Sequence, residues 1–179
     1  MTLPPTQLEW VRLHIRALFD VEIDTVPIAY SAKGLRPWEG AVTWIENGKA
    51  RIQLHPRLEK GSLFFGFYSR DEILAHELVH ALRAHLNSPR YEEHLAYWTS
   101  PYAWRRLLGP LFERSWEAPV LIGAFLFPPL GALALMILSA RLIYRQRRLA
   151  RAYRRLGGGA AARKQLLFSS DTEIDSLLK

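Results

Sequence analysis

Residues 69–97 read SRDEILAHELVHALRAHLNSPRYEEHLAY, a stretch that two helices joined by a very short turn would account for. Ser69 and Glu72 have the spacing of a capping box, in which the Ser69 hydroxyl accepts from the Glu72 amide and the Glu72 carboxylate reaches back, so a helix is predicted to begin at Arg70. Leu74, Ala75, Leu78, Val79, Leu82 and Leu86 recur at helical spacing and give it one buried stripe. Asn87-Ser88-Pro89 ends this helix and starts the next, with Ser88 as N-cap and Pro89 at the first helical position. Helices joined this tightly fold back on one another.

The first helix carries His76-Glu77-Leu78-Val79-His80, an HExxH pattern. Residues four apart share a helix face, so two imidazoles can give nitrogens to one zinc ion while Glu77 stands beside them to polarise a water on the metal. Catalytic zinc takes three protein ligands, and the second helix offers Glu92, Glu93 and His94. His80 lies about 10 Å of helix before the turn and Glu93 about 8 Å after it, so an antiparallel pair brings them nearly level. His85 is about half a turn out of phase with His76 and points away. The metzincin pattern fails, because Arg83 and Leu86 stand where its glycine and third histidine would be. His14, within a helix, and His55, at a strand end, read as structural. For the reaction itself, Tyr91 and Tyr97 are both candidates to hydrogen-bond a developing oxyanion.

With HExxH followed by Glu93-His94-Leu95-Ala96, the chain resembles the gluzincin metallopeptidases over roughly residues 21–100. It is most similar in character to minimal gluzincin scaffolds and to the catalytic domains of integral-membrane zinc peptidases. The resemblance implies His76, His80 and Glu93 as zinc ligands, with Glu92 the next choice after Glu93, and Glu77 as general base. It also implies close approach of the two helices at Ala96, and an α+β zincin-like domain whose β-hairpin edge strand binds peptide by strand addition. Membrane members usually carry an Asp after that Ala to orient a zinc-binding imidazole; this chain has Tyr97 there, so the motif does not supply that partner.

Working outward, residues 6–19 have the apolar spacing of a helix, and residues 21–30 are β-branched and alternating, as in a strand. Residues 41–46 and 50–54 read as a hairpin turned at Asn47-Gly48, giving a small antiparallel sheet that ends at His55-Pro56. An aromatic stretch over 63–68, broken at Gly66, precedes the HExxH helix.

The 179 residues are 49% hydrophobic and contain no cysteine, which excludes a disulfide framework, a thiolate metal site and a cysteine nucleophile. The net charge of +7 invites a nucleic-acid reading until it is mapped. Residues 1–117 hold 14 basic and 14 acidic side chains, residues 118–140 none of either, and residues 141–179 hold 10 basic and 3 acidic. No nucleic-acid partner is therefore expected, and the basic block beside an apolar run reads as a membrane flank.

Residues 118–140 are 23 uncharged residues, about 34 Å if helical, enough for a bilayer core of about 30 Å. Trp104, Trp116 and Tyr144 flank them as interfacial anchors do. We expect a single span, with a hairpin turning at Pro128-Pro129 as the alternative, and membrane lipid as a partner. The tail is expected on the cytoplasmic side, with the side of the catalytic domain left open. Residues 1–5 lack a basic region, so a cleaved signal peptide is not expected. The organisation read from sequence is then a metallopeptidase domain over 1–117, a membrane segment over 118–140, and a basic juxtamembrane region with a flexible tail over 141–179. The expected function is a membrane-anchored Zn2+-dependent endopeptidase acting on protein or peptide. The reading from another class is a non-catalytic, membrane-anchored interaction protein that keeps the zincin scaffold.

Overall fold

The computed structural model describes residues 5–23, 26–46, 48–61 and 63–179. Helix α1 (Pro5–Phe19) buries Val11 and Ile15 of the stripe Leu8, Val11, Ile15 and Leu18 that its spacing predicts, leaves Leu8 and Leu18 partly buried against the core, and buries Phe19 as well. His14 on this helix is structural, as expected: its Nε2 lies 2.8 Å from the Thr99 carbonyl oxygen. Three strands follow, β1 (Ile28–Tyr30), β2 (Ala41–Glu46) and β3 (Lys49–Leu54), in the spatial order β1-β3-β2. The hairpin has the predicted register, with Glu46 opposite Lys49 and Ala41 opposite Leu54. Gly48 takes a φ of +73° in the turn, while Asn47 lies outside the described residues.

Two expectations for the sheet are corrected. The strand read over 21–30 is confined to Ile28–Tyr30, and it pairs parallel to β3, so the sheet is mixed rather than antiparallel. Alternation alone carries no information on direction. Asp24 and Thr25 of that stretch lie outside the described residues. A short helix α2 (Arg57–Lys60) and a two-residue hairpin, β4 (Leu63–Phe64) with β5 (Tyr68–Ser69), lead to the next helix.

Helix α3 (Arg70–Arg83) begins where predicted, with the Ser69 hydroxyl accepting from the Glu72 amide at 3.1 Å. The reciprocal half of the capping box does not form. The buried Glu72 carboxylate instead accepts from the Ser100 hydroxyl at 2.5 Å and pairs with Arg105 of helix α5 (Ala103–Leu108), fastening α5 to the start of α3. Asn87, at a φ of +45°, turns the chain after α3, and helix α4 (Glu92–Tyr97) starts later than Pro89. Its fully buried Leu95 and Ala96, with Tyr91 just before it, pack into the core.

The apolar run is not one helix. Helix α6 (Glu117–Ala124) stops before Pro128, and helix α7 (Pro128–Arg155) starts there, because proline suits a first helical turn and cannot continue one. Among the described residues no helix is long and apolar enough to cross a membrane. The expectation of a single span is thus corrected to two packed helices, whose bases are joined where the uncharged run ends. There the buried Glu117 accepts from Arg141 through both carboxylate oxygens, at 2.7 Å each. Above this clamp Ile122, Leu126, Phe127, Leu130, Met136 and Ile137 are exposed.

Residues 165–179 are not a flexible tail. Helices α8 (Gly159–Leu167) and α9 (Asp171–Ser176) place Leu166, Leu167 and Ile174 fully buried in the same core as α1, the sheet and α3. Leu149 and Ala152 of α7 join them. Burying each large apolar side chain contributes about 1.5–3 kcal/mol, so residues 1–117 alone would leave that face of the core open. The architecture is α+β, mostly helical with a small mixed sheet.

Candidate metal centre

Helices α3 and α4 bring the predicted donors together. His80 Nε2 lies 3.1 Å from His76 Nε2, and the two carboxylate oxygens of Glu93 lie 3.4 Å from those same nitrogens, one each. One ligand atom from each of the three residues falls within 4.8 Å of the others, so the group can hold a metal ion. Two imidazole nitrogens and one carboxylate oxygen are a donor set that zinc accepts while keeping a position open. Burial works against charge on His80, but Glu93, the Glu92 hydrogen bond and Glu77 outweigh it and raise its pKa to about 9. For Glu93, burial disfavours the carboxylate, and His80 and His76 more than offset it, holding the pKa below the ordinary range. The pocket therefore favours a cation.

Glu92 does not point at the metal position in the way Glu93 does. Its Oε1 lies 2.7 Å from His80 Nδ1, the nitrogen facing away from the donor cluster. This is the orienting partner that the residue after Ala96 does not provide, and it follows from adjacency. Neighbouring residues on a helix point about 100° apart, so Glu93 faces the donors while Glu92 reaches around to the rear of His80. Tyr97 takes a different role, its ring standing edge-on to His76 at 4.7 Å between centroids. The backbone at Gly109 lies against that ring, and a Cβ there would stand 2.3 Å from it.

Glu77 is buried, and the Thr43 hydroxyl on β2 donates to its Oε2 at 2.7 Å. Sequence reasoning missed Thr43, and only its inward place on the edge strand could have signalled it. Tyr91, one of the two candidates for contacting an oxyanion, is fully buried and donates to Asp175 at 2.6 Å, which corrects that assignment. His94 is also buried, with its pKa lowered to about 4 by burial and by Arg145, and it stands outside the donor group. His85 is exposed, as expected. His55 is 3.2 Å from the Arg57 amide, a local strand-end contact.

The different positions of the two glutamates give separable outcomes. Glu93→Gln should weaken zinc binding by on the order of 10²–10³-fold, about a quarter of a four-ligand site's binding free energy. Glu92→Ala should cost about 10–100-fold, the scale for removing a partner behind a ligand. Glu92→Gln should recover most of that loss, because an amide oxygen still accepts from Nδ1–H. Zinc competition titration of the full chain measures all three, and the reverse order would exchange the roles.

No protein-family model matches the chain, and no curated protein and no solved structure is significantly similar to it.

Proposed function

We propose that this chain is a membrane-anchored, zinc-dependent endopeptidase. The observation that carries the reading is the convergence of His76, His80 and Glu93 donor atoms to within 4.8 Å beside a cleft lined by His76, Glu93 and the buried Glu77. Held by His76, His80 and Glu93, zinc would supply Lewis-acid polarisation of the scissile carbonyl and a more acidic water. Glu77 then takes a proton on the carboxylate oxygen not bonded to Thr43 and passes it to the leaving amide nitrogen. Thr43 holds the carboxylate in place, and Tyr97 fixes the plane of His76. Strand β2, on the outside of the sheet, aligns an extended substrate by backbone hydrogen bonds.

The α6–α7 hairpin supplies the anchor. Its uncharged arms rise from the Glu117–Arg141 clamp and carry exposed Phe125, Leu126 and Phe127 at the tip, with Trp116 and Tyr144 near the base. Exposed Arg147, Arg151, Arg154 and Arg155 follow on α7 and match an anionic headgroup layer. Both arms enter and leave at the clamp, so the metal centre and the C-terminal helices lie on one side of the bilayer. The basic flank makes that the cytoplasmic side.

The experiment is hydrolysis of a mixed peptide library by the zinc-loaded full chain, read by mass spectrometry. Cleavage is expected to vanish with chelator, to return with added zinc, and to be absent from His76→Ala. A folded, zinc-loaded protein that cleaves no peptide would overturn the reading.

A further inference from the structure

The cleft over the metal centre, about 690 Å³, has walls of two kinds. His76, Glu77 and Glu93 lie on one side, and Ala118, Pro119 and Ile122 of the apolar hairpin lie on another. Aromatic side chains Phe64, Phe65, Phe67 and Tyr68 add to the apolar lining, together with Ile73 and Phe112. Phe65 and Phe67 are half exposed on the rim and Ile122 is 73% exposed, so apolar surface is open both in the cleft and on the hairpin, with Glu39, Glu113 and Arg114 also in the lining. Trp38 adds an exposed indole to the same lining.

The position of this wall along the hairpin is what matters. Ala118 is the first uncharged residue above the Glu117–Arg141 clamp, and α6 is eight residues long, a rise of about 12 Å. That rise matches about one leaflet of a bilayer's hydrocarbon. With the tip of the hairpin in lipid, Ala118 stands at the headgroup boundary and Ile122 about 6 Å deeper, so the cleft they line opens at the lipid surface.

We propose that the cleft is filled from the lipid surface. Its substrate is a polypeptide segment lying at the membrane interface, next to a membrane anchor of its own, with a large apolar or aromatic side chain entering between Phe64–Tyr68 and Pro119–Ile122. This rests on the peptidase reading and adds to it the class of substrate. Such a side chain leaves lipid for another apolar environment, so it gives up little on entering the cleft, whereas the same group on a soluble peptide also gains from leaving water. Selection between substrates therefore comes from where the scissile bond sits relative to the membrane.

The test uses the full chain, zinc, and vesicles of phosphatidylcholine with phosphatidylglycerol. One cleavable sequence is presented in three ways: free, three residues from a lipid anchor, or beyond a 20-residue Gly/Ser linker from the same anchor. The linker moves the bond about 25 Å from the surface without changing the amount of substrate on the vesicle. Cleavage of the near peptide is expected to exceed that of the far one at least about tenfold, reversing what reach and effective concentration alone would give. Leu126→Glu at the exposed tip should bring the anchored peptides down to the rate of the free one. Equal or faster cleavage of the far peptide overturns the proposal while leaving the peptidase reading intact. So does inhibition of free-peptide cleavage by peptide-free vesicles, which would assign the cleft to an acyl chain. Failure to float with vesicles, with a concentration-dependent dimer instead, would assign the hairpin to a second copy. No cleavage of any of the three peptides removes the peptidase reading, and the proposal with it.

Discussion

Replacing Glu77 with glutamine is expected to lower peptide hydrolysis by on the order of 10²–10⁴-fold, the scale of a lost general base, with zinc content unchanged. The separation of effects follows from geometry. The donors that gather around the metal position are His76, His80 and Glu93, and Glu77 is not among them. Glutamine keeps the shape and can still accept from Thr43, whose hydroxyl lies 2.7 Å from Oε2, so the local packing survives. What is lost is the ability to take a proton and return it. Parallel measurement of zinc per chain, melting temperature and initial rate checks the prediction. Hydrolysis that survives Glu77→Gln would move the base elsewhere. Peptide binding that is unchanged, with no hydrolysis in either protein, would favour the non-catalytic interaction protein that keeps the same scaffold.

The candidate donor cluster was legible because most of it is local. HExxH brings two donors together by helical periodicity alone, whereas Glu93 rather than Glu92 as the third rests on the resemblance to gluzincins, since the rise argument assumed a helix from Pro89 and α4 starts at Glu92. The hairpin register was legible for the same reason, since the Asn-Gly pair in the sequence places Glu46 opposite Lys49, the pairing found. What escaped depends on partners distant in sequence. Glu72 looked like half of a capping box, but a carboxylate buried next to Arg105 and Ser100 does better by pairing with a charge than by closing a turn. Residues 165–179 read as a flexible terminal tail, yet Leu166, Leu167 and Ile174 are spaced to cover a face that α3 and α7 leave open. The apolar run read as a span because composition counts residues, whereas the break at Pro128 divides it into arms too short to cross.

Arg83→Met is expected to destabilise the fold by about 3–5 kcal/mol, the sum over the buried carbonyls it would leave without a donor. In the sequence this arginine served only to exclude a metzincin pattern, but in the structure it is buried and binds the C-terminal helices to α3. One terminal nitrogen donates to the carbonyls of Leu166, Leu167 and Ser169 at 3.1, 2.6 and 3.2 Å, and the other donates to Ser88 at 3.3 Å. The first two belong to the last turn of α8, where the helix has no donors of its own to offer. Methionine fills the volume and leaves those acceptors buried without a donor, at a cost of about 1–3 kcal/mol for each that water cannot reach. For a chain of this size the melting midpoint should fall by roughly 10 °C or more. Arg83→Lys should recover little, since one ammonium cannot face both directions at once. The effect also reaches the metal. Asp175 on α9 accepts from Tyr91, the residue immediately before α4, so loosening α8 and α9 removes a support from the helix that carries Glu92 and Glu93. Zinc affinity and the melting midpoint should therefore fall together in Arg83→Met, whereas Glu93→Gln should lower affinity at nearly unchanged stability of the metal-free chain. A melting midpoint that Arg83→Met leaves within about 1 °C would mean that α8 and α9 dock without it.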